Sequence, residues 1–299
     1  MAPVTCREIT AAILWVAAMA VGCGHTAADR PPPDNTASAA ADDFSVGLSE
    51  HHRYHHHGGL TMFVAMSLDT LAVPKEEQAA VKKIRGDLRA TMEPARQADA
   101  QLLTTLADAL VAPSFDAGGV DAAVAHVVEA NLAAREASAQ SFNDLHAALA
   151  PVERDALADK VQSHWSVWQA ENAASAAPAK DAESRRLDAL TVALGLSADQ
   201  TSQIRAALAN EKGGGLPLDQ PAMAQHVRAF TDAFRGLTFE ARSLPGEGGA
   251  NPHLVGWGAA HLARVVAVMR PILTAEQRAA FAQQLRDHAA HDPAAEENT

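Results

Sequence analysis

Four short segments of this chain keep a common spacing, and that spacing limits what it can fold into. Leu196-Ser197-Ala198-Asp199-Gln200 returns 77 residues later (273 − 196) as Leu273-Thr274-Ala275-Glu276-Gln277. Upstream, Val73-Pro74-Lys75-Glu76-Glu77 precedes Leu149-Ala150-Pro151-Val152-Glu153 by 76 residues (149 − 73). The first members of the two pairs lie 123 residues apart (196 − 73) and the second members 124 (273 − 149). Two independent spacings in register within one residue imply one module duplicated in tandem.

Each segment reads as a helix start. Ser197 and Thr274 are N-cap residue types, with Gln200 and Gln277 three positions on, which is the capping-box pattern. Pro74 and Pro151 suit a first helical turn, where a missing N–H costs nothing. Val73, Leu149, Leu196 and Leu273 stand just before the starts; Val81, Leu157, Ile204 and Phe281 follow eight positions later on the same helical face. Each motif is therefore expected to begin a helix and pin it to a partner.

The apolar residues between the starts keep a helical period. Val81, Ile84, Leu88, Leu102, Leu106 and Leu110 mark a first long helix, which Pro94 should kink or break near Glu93. Asp116-Ala117-Gly118-Gly119 is a turn, Val120 to Leu149 a returning helix, and Pro151 to Trp168 a third. Long helices joined by a short turn lie antiparallel, as in an αα-hairpin. The second copy repeats the plan with interruptions at Gly213-Gly214-Gly215 and in the Gly-rich stretch from Pro245 to Pro252.

The expected fold is all-α. Two tandem helical-hairpin modules, at residues 60–170 and 180–292, would meet across a joint at Ala173–Pro178 and pack as an intrachain pseudo-dimer. The alternative is two independent beads. Residues 293–299 are expected to be a disordered tail.

The N-terminal region reads as export and anchoring. The apolar run Ile13–Val21 is short for a mature spanning helix. It ends in Ala20-Val21-Gly22-Cys23, which resembles the lipobox of bacterial lipoproteins, so residues 1–23 would be a signal and Cys23 the lipidation site. An ordinary signal peptide is the alternative. Cys6 would leave with the signal, so no thiol remains for a disulfide or a nucleophile. Gly24 after the cysteine favours the outer membrane, with the body facing the periplasm and the lipid anchor as the only membrane contact. Residues 24–59, with Pro31-Pro32-Pro33 and an Ala/Ser-rich run, form a flexible tether.

The pairs Leu196–Gln200 and Leu273–Gln277 resemble the LTxxQ motif of the Spy/CpxP group of periplasmic helical-hairpin proteins, which includes heavy-metal-sensing relatives. The first copy departs from the motif at both starts. The familiar members carry one module and dimerise, so the resemblance implies that a second copy here takes the place of a partner subunit. It also implies a chaperone-like, stress-protective role on unfolded or partly folded envelope proteins, or work with a sensor kinase or other regulatory partner.

Within the tether, His51, His52, His55, His56 and His57 put five imidazoles into seven residues. Neutral imidazole binds Zn²⁺, Ni²⁺ or Cu²⁺, and the resemblance supports metal contact. The bland alternative is a solvated tract that takes metal only incidentally. His288 and His291, three apart near the end of the last helix, form a weaker candidate pair.

The net charge of −12 is unevenly placed: residues 60–170 hold nine basic and fifteen acidic groups, residues 180–292 twelve of each. No basic patch stands out, which argues against nucleic acid. No HExxH, GxSxG or P-loop occurs, and no catalytic residues are assigned. The chain is read as a non-enzyme needing no cofactor. Three functions remain: an envelope lipoprotein that binds clients, a heavy-metal sensor or buffer, and a non-catalytic envelope scaffold.

Overall fold

A computed structural model describes residues 59–173, 187–188, 190–210, 220–244 and 250–290, which are all-α, with no strand among them. The first repeat runs α1 (Gly59–Asp69), α2 (Lys75–Val111), α3 (Ala117–Ala148) and α4 (Pro151–Ala173). The second holds a helical segment within 187–194, then α5 (Ala198–Asn210), α6 (Gln220–Phe234), a 3₁₀ turn (Ala241–Ser243), α7 (Ala250–Met269) and α8 (Ala275–Ala290). No described helix is long and apolar enough to cross a membrane. The expected signal, Cys23, almost all of the tether, the Ala173–Pro178 joint beyond Ala173 and the tail lie outside the described residues.

All four expected starts are helix starts. The spacing holds beyond the starts: α2 spans 37 residues, and the stretch from the start of α5 to the end of α6 spans the same 37 (198 through 234). The 3₁₀ turn and α7 likewise occupy the span of α3.

Of the kink or break expected at Pro94, the break does not occur: α2 runs on from Lys75 to Val111 with the proline inside it. The lost backbone bond is outweighed because the helix is held on both sides of the proline. Val81, Ile84 and Leu88 are buried in one core, and Ala95, Ala98 and Leu102 in another. The turn expected at Asp116-Ala117-Gly118-Gly119 is instead the start of α3, with Asp116 as its N-cap accepting from the N–H of Gly119.

Those two cores set the architecture. The first is built on α1, the N-terminal half of α2, the C-terminal half of α3 and α4, and is completed by α6 and the 3₁₀ turn. The second is built on residues 187–196, α5, the C-terminal part of α7 and α8, completed by the other halves of α2 and α3. Positions 124 apart fall in opposite cores: Leu106 and Phe230, Leu145 and Met269, Leu157 and Phe281. Each core therefore draws on both repeats.

Polar ties repeat the same exchange. Arg270 on the turn after α7 donates to the carbonyls of Ala109 (2.9 Å), in the last turn of α2, and Ala112 (2.6 Å), just beyond its end. At the matching place in the other copy, His146 Nε2 lies 3.0 Å from the carbonyl of Gly236. A carbonyl only accepts, so that nitrogen carries the proton.

Candidate functional site

The motif positions form a clasp in the second repeat. Ser197 Oγ accepts from the N–H of Gln200 (3.1 Å), and Gln200 Oε1 accepts from the N–H of Ser197 (3.0 Å). Thr274 and Gln277 make the same reciprocal box at 3.2 and 3.0 Å. These satisfy backbone donors that a helix start leaves without intrahelical partners.

The boxes are also joined to each other. Gln200 Nε2 donates to Gln277 Oε1 at 2.7 Å and to the carbonyl of Ile272 at 3.0 Å. Gln277 Nε2 reaches Gln200 Oε1 at 3.2 Å and the carbonyl of Gly195 at 3.2 Å. Each amide thus caps its own helix through its oxygen and ties the neighbouring start through its nitrogen. Spacing alone pointed to the caps; the cross-link between them needed the two starts to be adjacent in space.

The first repeat has the same positions with different chemistry. Glu77 and Glu153 stand where Gln200 and Gln277 stand (200 − 77 = 123; 277 − 153 = 124). Pro74, in the place of Ser197, makes no side-chain cap. A carboxylate has no N–H to give, so the amide-to-amide and amide-to-carbonyl bonds have no counterpart here. One oxygen of each, Glu77 Oε2 and Glu153 Oε2, is buried and has no hydrogen-bond partner.

His51, His52, His55, His56 and His57, and also His291, lie outside the described residues. His288 is half-buried near the end of α8. Among the described residues no group of three or more His, Cys, Asp or Glu side chains is placed to hold a metal ion. His146 is buried in an aromatic setting, edge-on to Phe234 and stacked on Phe239 at 5.4 Å. It is structural: it holds the α6 end against α3.

Four charged groups among the described residues have shifted titration. The hydrogen bond and ion pair with Asp87 raise the Lys83 ammonium above its ordinary value. The Asn143 amide, then the backbone N–H of Arg242, holds the Glu240 carboxyl below its ordinary value. Its own backbone N–H and the Thr274 hydroxyl do the same for Glu276. Burial pushes the Lys160 ammonium down. Glu240 and Glu276 sit at helix starts and Lys160 at a contact with Thr70, whereas Lys83 pairs with Asp87 along α2.

The fold and clasp define a class: an all-α helical protein in which Ser197, Gln200, Thr274 and Gln277 cap and join two helix starts. Residues 10–156, just under half of the chain, match the family described as heavy-metal resistance. The match takes in the histidine tract and the first repeat as far as the start of α4. The two LTxxQ-like segments, on which the sequence resemblance rested, lie beyond it. Comparison with curated proteins and with solved structures gave no match.

Proposed function

We propose that the protein is a lipid-anchored, non-catalytic component of a heavy-metal response in the cell envelope, holding metal through His51, His52, His55, His56 and His57. The observation that carries this reading is the span of the heavy-metal-resistance match, which includes that tract. Neutral imidazoles are the ligands, suited to Zn²⁺, Ni²⁺ or Cu²⁺, and the helical body is the folded part to which the tract is attached. Cys23 carries the lipid and keeps the protein at the outer membrane; Cys23→Ala is expected to release it, and unchanged membrane fractionation would remove the anchor from the account.

Calorimetry with Zn²⁺ tests the metal reading. Replacing all five histidines by alanine should abolish binding near neutral pH, and lowering the parent below about pH 6 should weaken it, because protons compete for the imidazole lone pair. Undiminished affinity in the five-fold variant would place the metal elsewhere, with His288 and His291 next in line.

A client-binding role, the function the Spy/CpxP resemblance implies, is the second reading. Exposed apolar side chains at Val111, Leu132, Val152, Val192 and Leu237 support it. Suppression of client aggregation by both the parent and the five-fold variant, independent of Zn²⁺, would favour this reading over the metal one. We further propose that the chain is an intrachain pseudo-dimer and a monomer in solution. Supporting it is the exchange of halves between the two cores.

A further inference from the structure

The connection from α6 to the 3₁₀ turn is short, and bonds hold it at both ends. The N–H of Gly236 bonds to the carbonyl of Ala233 at 3.0 Å. Its own carbonyl faces His146 Nε2 at 3.0 Å and accepts from Arg154 Nη1 at 3.3 Å. A Cβ at Gly236 would stand 3.0 Å from the Ala233 oxygen and 3.3 Å from that of Thr238, so the chain turns tightly here. Phe239 is seated among rings, stacked on His146 at 5.4 Å and edge-on to Phe234 at 5.1 Å. Directly after it, Asn143 fastens Glu240 and Ala241 to α3.

Between these fixtures stands Leu237, 92% exposed. Single exposed leucines are common on protein surfaces. This one differs because the backbone on both sides of it is fixed, so it is held out in water by a turn with little freedom left to lose on binding. Val152, 68% exposed, lies in the first turn of α4, two residues before the arginine that reaches Gly236. The Arg154 bond thus joins the two turns that carry these apolar side chains. Their margin is acidic. Arg235 pairs with Asp159 and, at 3.8 Å, with Asp155. Arg154 is committed to the carbonyls of Leu149 and Gly236, and Arg242 pairs with Glu136. Glu240 accepts from the neutral amide of Asn143 and from the N–H of Arg242.

We propose that this corner docks a segment of unfolded polypeptide in which an apolar side chain stands next to lysine or arginine, with Leu237 as the anchor and Val152 beside it. The apolar side chain covers Leu237, a preformed contact of the kind that carries most of the affinity in small interfaces. The cation meets Asp155, Asp159 and Glu240, three carboxylates against which Arg235 sets one charge. The same acidic margin disfavours an anionic lipid surface as the occupant. The proposal deepens the client-binding reading and rests on it.

Fluorescence anisotropy on the chain without residues 1–23 tests it, with a labelled Gly/Ser-rich peptide carrying adjacent leucine and lysine residues, and a second peptide with glutamate in place of lysine. The lysine peptide should bind roughly tenfold more tightly than the glutamate one, and less tightly as salt is raised. Leu237→Ser should weaken it roughly tenfold without moving the unfolding midpoint, since that side chain is exposed. Val192→Ser, at an 82% exposed apolar residue elsewhere, should leave affinity unchanged. Asp155→Asn with Asp159→Asn should weaken binding of the lysine peptide and not of the glutamate one. Equal binding by the Leu237→Ser variant, or equal affinity for the two peptides, would overturn the proposal. Suppression of client aggregation, measured on the same variants, separates the two readings. If the parent suppresses aggregation and Leu237→Ser still binds peptide like the parent, the docking site falls and the client reading stands. If the parent neither suppresses aggregation nor binds peptide, both fall.

Discussion

Asn143 shows how one side chain holds two elements together. Its Nδ2 donates to Glu240 Oε1 at 3.0 Å and its Oδ1 accepts from the N–H of Ala241 at 2.9 Å, fastening the 3₁₀ turn of the second repeat to α3 of the first. Glu240 is also the N-cap of that turn, accepting from Arg242. Because the folded state holds the Glu240 carboxyl below its unfolded value, its contribution is complete above the ordinary carboxylate range, near pH 4.3, and is lost as pH falls through the folded value. Asn143→Ala is expected to move the Glu240 titration up toward that ordinary value, read by NMR. An unmoved titration would show that Arg242 alone sets it. Nothing in the sequence marked Asn143, because its partners are 97 and 98 positions away.

Among the elements, α2 was legible in its limits and period but not in its continuity. Proline in a helix interior costs roughly 3 kcal/mol relative to alanine, and that local rule predicted a kink or a break. Burial decided against the break, since each half of α2 is bound into a different core, a long-range arrangement that local propensity does not express. If Pro94 is only tolerated, Pro94→Ala should stabilise the protein by about 1–3 kcal/mol in denaturant unfolding, with the higher value set by the full propensity difference. Destabilisation would mean instead that the shape proline gives α2 is what lets it serve both cores. The caps at Ser197 and Thr274 were legible because a capping box is a local pattern. The Gln200–Gln277 bond was not, because adjacency of two helix starts is a property of the fold.

On the scale of the whole molecule, the repeat spacing carried the most information, and it extends to which core each residue enters. Val81 and Ile204, Leu149 and Leu273, Val161 and Leu285 are buried at matching positions in opposite cores. What spacing left open was the exchange: α6 completes the core of the first repeat, and the halves of α2 and α3 around their connecting turn complete that of the second. A half expressed alone would expose the surfaces the other half covers, and covalent linkage supplies the second copy at an effective concentration of order millimolar. The most direct test expresses residues 59–176 and 180–292 separately and measures size and unfolding by light scattering and denaturant titration. The account predicts that each half alone is unfolded or pairs with itself, that mixing restores one cooperative complex, and that the joined chain without residues 1–23 is a monomer. Two halves that each fold cooperatively as monomers and have no affinity for one another would contradict it.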